Sequence, residues 1–208
     1  MINLGVLASG RGSNLQAIID ACEGGPLHGQ ARVAAVVSDN PEARALGRAA
    51  RHGVPAVVVE RRAHKGREAY EQAIVAALRE RGVDLVCLAG YMRLVGRVLL
   101  EAFPGRVINI HPALLPSFPG LEAQRQALEH GAKVSGCTVH FVDEGTDSGP
   151  IILQRAVPVR EDDDVDSLSA RILEEEHRAY VEAIALHASG LLVVTGRRVH
   201  ILGEGKEQ

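Results

Sequence analysis

Short runs of apolar and β-branched residues recur through the first half of the chain, each followed by a stretch whose apolar positions fall at helical spacing. Ile2 to Ala8, Arg32 to Ser38, Ala56 to Val59, Asp84 to Ala89 and Arg106 to Ile110 are predicted strands. Several are apolar on both faces, as strands covered by helices on each side must be. Asn14 to Cys22, Pro41 to His52, Arg67 to Arg81 and Gly96 to Phe103 are the predicted helices between them. This alternation implies βαβ crossovers and hence a doubly wound, mostly parallel α/β sheet of the Rossmann-like kind. The pattern then changes to a proline-broken loop, a helix near Glu122 to His130, strands at Val134 to Val142 and Ile151 to Val159, and a long helix from Ser167 to about Ala188. The expected organisation is a single domain with its main body over residues 1–190, a β-rich extension of that domain over 191–202, and a polar tail over 203–208 expected to be disordered.

A chain of 208 residues can bury one sizeable core. With 46% hydrophobic and 24% charged residues it has the balance of a soluble globule rather than of a disordered or collagen-like chain. Three Phe, three Tyr, no Trp and a formal charge of −3 supply no basic aromatic platform, so no nucleic acid partner is expected. The longest stretch free of Asp, Glu, Lys and Arg, from Val107 to Leu121, is too short to span a bilayer, and no membrane partner is expected. Cys22, Cys87 and Cys137 are odd in number and widely spaced, offering neither a disulfide framework nor a metal clasp. No basic and then apolar leader opens the chain, so the expected setting is cytoplasmic, with reduced thiols.

Candidate chemistry sits in the loops after predicted strands. Ser9-Gly10-Arg11-Gly12-Ser13-Asn14 places glycines between a strand and a helix, where backbone N–H groups can cradle a phosphate. It lacks the Walker A pattern and the third glycine of the dinucleotide fingerprint, and a tight turn with Ser13 capping the helix fits equally well. Asp39, ending the second strand, could hold a ribose and keeps open a non-catalytic nucleotide-binding module. Asn109 and His111, two apart on a strand, share a face, and Pro112 ends the strand at its carboxyl end, where open α/β sheets bind ligands. An amide donor beside an imidazole suits a developing oxyanion and a proton transfer. Asp143-Glu144-Gly145-Thr146-Asp147-Ser148-Gly149-Pro150 reads from its residues as a turn, and no metal is expected there because no His or Cys stands at ligand spacing. Glu176 interrupts the apolar stripe Leu168, Ile172, Tyr180, Ile184, so it needs a partner, either an arginine or a ligand's hydroxyls. His140 and His177 read as structural, and Arg61, Arg62 and Arg67 as a solvated face.

Taken together, Gly12-Ser13-Asn14-Leu15-Gln16, Leu88-Ala89-Gly90-Tyr91-Met92-Arg93, Asn109-Ile110-His111-Pro112-Ala113-Leu114-Leu115-Pro116 and Val139-His140-Phe141-Val142 with Asp147-Ser148-Gly149-Pro150 resemble the folate-dependent formyltransferase family, in particular its glycinamide ribonucleotide formyltransferases. The resemblance runs from Ile2 to about Gly190. It implies formyl transfer from 10-formyltetrahydrofolate to the amine of glycinamide ribonucleotide, in purine biosynthesis, with both small molecules as substrates and no metal. It implies that Gly12, Ser13 and Asn14 hold the phosphate and Glu176 the ribose hydroxyls, that Arg67, Met92, Arg93, Leu94, Val95 and Asn109 line the folate site, and that Asn109, His111 and Asp147 carry the chemistry. In this scheme Asn109 and a protonated His111 stabilise the oxyanion and Asp147 keeps His111 charged, which replaces the turn-only reading of Asp147. Ser117 and Arg11 depart from residues common at those positions. Formyltetrahydrofolate hydrolases and methionyl-tRNA formyltransferases share the Asn-x-His-Pro and Asp-x-Gly-Pro pieces but are expected to carry a further domain. The oligomeric state stays open between monomer and homodimer.

Overall fold

Ile2–Leu7 (β1) is buried at its last four positions, and its backbone can be satisfied only by strands on both sides. The computed structural model describes residues 1–203 and supplies those neighbours. Ala31–Ser38 (β2) and Leu85–Leu88 (β4) flank β1, both parallel to it. Ala56–Val58 (β3) pairs with β2, and Val107–His111 (β5) with β4, again parallel. The order β3-β2-β1-β4-β5 reverses direction between β1 and β4, as the doubly wound expectation requires. Ser13–Gly24 (α1), Arg44–Arg51 (α2), Gly66–Glu80 (α3) and Arg97–Ala102 (α4) make the connections. The second helix starts three residues later than predicted, because Asn40 Oδ1 accepts from Glu42 N at 2.9 Å and Ala43 N bonds back to Asn40 O, folding 40–43 into a turn.

The chain separates into two compact units, Met1–Asn109 and the residues from Ile110 on. In the second unit, Val134–Phe141 (β6) and Ile151–Pro158 (β7) are antiparallel. Beyond Ala123–Glu129 (α5) and the long Val165–Ala188 (α6), the predicted β-rich extension is a hairpin of Leu192–Thr195 (β8) and Arg198–Ile201 (β9), with β9 running parallel to β7. Of the tail expected over 203–208, Gly203 is in a turn and the rest lies outside the described residues. Helix α6 begins at a capping box: Asp164 accepts from Ser167 N at 2.8 Å while Ser167 Oγ accepts from Asp164 N at 3.0 Å. No helix of the described residues is long and apolar enough to cross a membrane.

The proline-stiffened loop after β5 is pinned by one buried hydroxyl. Thr138 Oγ1, with no exposure, donates to Ala113 O at 2.7 Å and accepts from Leu115 N at 3.0 Å and Gln154 Nε2 at 3.0 Å, while Gln154 also donates to Leu115 O. Replacing Thr138 by Val keeps the shape but strands Leu115 N–H away from water. Thr138→Val is expected to lower stability by about 2 kcal/mol, measured by denaturant unfolding with an unchanged m-value.

Candidate active site

The reversal between β1 and β4 brings two of the sequence-selected segments together. Ser9 N donates to Gly90 O at 3.1 Å, and Ser9 Oγ accepts from Met92 N at 2.9 Å, so the loop after β1 and the loop after β4 leave the sheet side by side at its carboxyl end. Gly12 is the N-cap of α1 in the left-handed region, φ 70°, and a Cβ there would stand 2.8 Å from Ala45 Cα. Glycine is therefore required by backbone and packing before any ligand is considered. Ser13 is the first residue inside the helix and makes no capping bond, contrary to the turn-and-cap reading, and Asn14 is buried at 7% exposure. A helix end without a side-chain cap can receive an anion.

Met92 and Leu94 hold their side chains out, 64% and 65% exposed, on the segment after β4. Arg93 Nε meets Asp39 Oδ2, which commits the carboxylate expected to serve a ribose and weakens the dinucleotide reading. Arg67 belongs to an organised cluster rather than to a solvated face: its Nε pairs with the buried Glu71 at 2.9 Å, and its Nη2 donates to Leu94 O at 3.1 Å. Glu71 also accepts from Leu99 N in the first turn of α4. A 460 Å³ cavity lined by Cys22, Glu23, Arg32, His52 and Arg81, among others, contains none of the selected residues and lies by the amino-terminal half of β2, away from the end where such sheets bind ligands.

In the second unit, His111 and Asp147 meet across 36 positions of sequence. His111 ends β5, is 4% exposed, and lies with Nδ1 3.3 Å from Asp147 Oδ2. Its Nε2 is 2.8 Å from Phe118 O, and because a carbonyl only accepts, Nε2 carries the hydrogen. The Asp147 contact thus opposes a neutral ring and favours an imidazolium. Burial is the larger effect and holds the His111 pKa below its ordinary value, against the Phe118 carbonyl and Asp147, which raise it, and with His140, which lowers it. Asp147 thus pulls the His111 pKa upward, while burial leaves the net direction downward.

Asp147 is in turn faced by a backbone amide and a second imidazole. Gly120 N donates to Oδ2 at 2.8 Å, and His140 Nε2 is 3.7 Å from Oδ1. Burial raises its pKa, but His140, Gly120 and His111 together outweigh burial and hold it below the ordinary carboxylate value. His140, first read as structural, is the residue that sequence reasoning missed. Its Nδ1 donates to Phe141 O at 2.8 Å, leaving Nε2 toward the acid. The available signal was its position two after Thr138 on an otherwise buried strand, the same spacing as Asn109 and His111. Asp147 and Phe118 both hold left-handed backbones, φ 51° and 54°, as strained residues at working sites often do. On α6 the predicted stripe is buried, with Glu176 at 7% exposure. The nearby Cys137 thiol is pushed up to about 12, by burial first and the Glu176 carboxylate second.

An α/β sheet whose loops meet at its switch point, followed by a buried His beside a half-buried Asp, is an arrangement suited to an enzyme of the group-transfer or hydrolytic kind. The chain belongs to the formyl transferase family, which it matches over residues 2–184. It is 47% identical over 190 residues to a trifunctional purine biosynthetic protein of Drosophila melanogaster, covering 91% of this chain but only 14% of that protein. It is 44% identical over 184 residues to phosphoribosylglycinamide formyltransferase of Bacillus subtilis, covering 88% of this chain and 93% of the relative. The crystal structure of glycinamide ribonucleotide transformylase 1 from Symbiobacterium toebii superposes with a TM-score of 0.95 at 60% identity, covering 97% of this chain and 94% of that one. The expected α/β, mostly parallel fold is therefore found, and the family match runs through both compact units.

Both shifted groups bear on stability with the same sign. The folded His111 pKa lies below its unfolded value, so its contribution is intact above about pH 7 and is lost as the unfolded ring takes a proton below about 6.5. The depressed Asp147 pKa adds stability present above the ordinary carboxylate value of about 4 and lost as pH falls through it. Unfolding followed against pH is expected to show two acid-side losses, and His111→Gln should remove the upper one while leaving the lower.

Proposed function

We propose that this chain transfers the formyl group of 10-formyltetrahydrofolate to the primary amine of glycinamide ribonucleotide, a step of purine biosynthesis, in the cytoplasm. The observation that carries the reading is the pairing of the buried His111, on the strand that also presents Asn109, with the half-buried Asp147 at 3.3 Å, in a chain of the formyl transferase family. The names of the B. subtilis relative and the S. toebii structure, each matched nearly end to end, support the choice of acceptor.

Gly12, Ser13 and Asn14 receive the ribonucleotide's phosphate at the uncapped start of α1, and Glu176 takes the ribose hydroxyls. The exposed Met92 and Leu94, with Arg93 and Val95, offer the folate an apolar face, and Arg67, half exposed, offers a cation to its acidic end. The folate supplies a formyl group on nitrogen. The neutral amine forms a bond to the formyl carbon, the Asn109 amide stabilises the oxyanion, joined by His111 once its ring has taken up the proton the amine gives away, and the bond to the departing nitrogen breaks. One proton passes from the amine to that nitrogen. His111 suits this traffic because it is neutral at rest yet faces an ionised Asp147, and the negative charge developing beside it raises its proton affinity as the reaction advances. No metal enters the scheme.

The test is to follow loss of formyl-folate with and without glycinamide ribonucleotide. Turnover should require the ribonucleotide and yield tetrahydrofolate and formylated product in equal amounts, whereas equal turnover without it would identify a hydrolase. Glu176→Gln should raise KM for the ribonucleotide roughly tenfold or more with little change in kcat, as loss of charged hydrogen bonds to a ground-state hydroxyl does.

A further inference from the structure

The hairpin β8–β9 lies beyond the residues that match the family, and the proposed chemistry makes no use of it. Its turn is the pair Gly196 and Arg197, with Gly196 at φ 61°. Arg197 is exposed, and its Nη2 donates to the carbonyl oxygen of Ser148 at 2.8 Å. One position on, Arg198 pairs in register with Ile151 of β7. The hairpin thus holds the 143–150 loop at one of its carbonyls and at the strand into which it exits.

Ser148 directly follows Asp147, whose left-handed backbone is disfavoured for a residue with a Cβ and persists only when its flanks are fixed. On the inner side those flanks are dense. Asp143 Oδ1 accepts from Ser148 Oγ at 2.6 Å and from Gly145 N at 3.1 Å, and a Cβ on Gly149 would stand 1.8 Å from Phe141 O. On the outer side the fixing contact is the Arg197 guanidinium on the Ser148 carbonyl.

We infer that Arg197 is a positioning residue for Asp147: by holding the Ser148 carbonyl from the carboxyl-terminal hairpin, it keeps the Asp147 carboxylate aimed at His111. The kinetic consequence rests on the formyl-transfer reading above, but the geometric one does not. The charged or titratable groups that face His111 are Asp147 and His140, so movement of Asp147 alone changes the balance at the ring.

The experiment uses the full chain with Arg197→Ala and Arg197→Lys, and reads the His111 imidazole titration by NMR without substrates, the thermal midpoint, and steady-state kinetics. In Arg197→Ala the His111 midpoint should fall further, by about half a pH unit, as its carboxylate partner drifts away. The kcat should drop roughly 5- to 30-fold with KM for either substrate nearly unchanged, because misplacement of a catalytic group acts on the reacting geometry. Arg197→Lys, still able to donate to one carbonyl, should restore most of both. In an Asp147→Asn background, Arg197→Ala should move the His111 midpoint no further. A His111 titration in Arg197→Ala that superimposes on the wild type overturns the inference, as does an equal shift in the Asp147→Asn background. Absence of ribonucleotide-dependent transfer in the wild type would instead overturn the proposed function, with the titration still deciding the role of Arg197.

Discussion

An ionised carboxylate in a half-buried place must be met by donors or it will take up a proton. Asp147 accepts from the Gly120 amide and stands beside the rings of His111 and His140, each of which can donate to it only when protonated, and it keeps its charge despite burial. Each ring has its other nitrogen tied to a backbone carbonyl, Phe118 for His111 and Phe141 for His140. Those carbonyls set which nitrogen turns toward the acid. The His140 ring also lowers the His111 pKa, adding to the effect of burial.

The rest of the second unit fixes where those carbonyls and amides stand. Thr138 and Gln154 fasten the loop after β5 at Ala113 and Leu115, and Gln126 of α5 donates to Pro119 O and Leu121 O farther along. The loop therefore delivers Phe118 O and Gly120 N from a braced path. In the first unit a corresponding task falls to two polar residues: Ser9 ties together the loops after β1 and β4, and Glu71 holds Arg67 and the start of α4. The segments proposed to bind substrates are thus carried on loops braced by polar side chains beneath them.

Strand and helix periodicity sufficed for the βαβ half, because parallel strands covered on both faces write an unmistakable apolar pattern. The late start of α2 and the 3-10 turn at Arg61–Ala63 were not legible, since both depend on single local bonds such as that from Asn40 to Glu42. Asn109 and His111 declared themselves through spacing on one strand. Asp147 did not: its residues alone read as a turn, which its left-handed backbone indeed makes, and family resemblance was needed to single it out. His140 escaped because burial on seven of the eight positions of β6 hides which face is special. The direction of the His111 pKa also escaped, because a sequence shows that a carboxylate can be near but not how much water has been lost.

The placement of Glu176 has a side effect on sulfur chemistry. With burial and the Glu176 carboxylate pushing its thiol up to about 12, Cys137 stays a thiol at neutral pH, and so does Cys22, which burial pushes up to about 11. Peroxide and alkylating reagents act on the thiolate, so both sulfurs are passivated in the native protein. For Cys137 part of that protection is the electrostatic shadow of an acid proposed to serve the substrate. The same sulfur is consequently a built-in gauge of α6: the helix must lift from β6, carrying its carboxylate away and letting water in, before Cys137 becomes reactive, so its labelling rate counts local opening events rather than surface exposure.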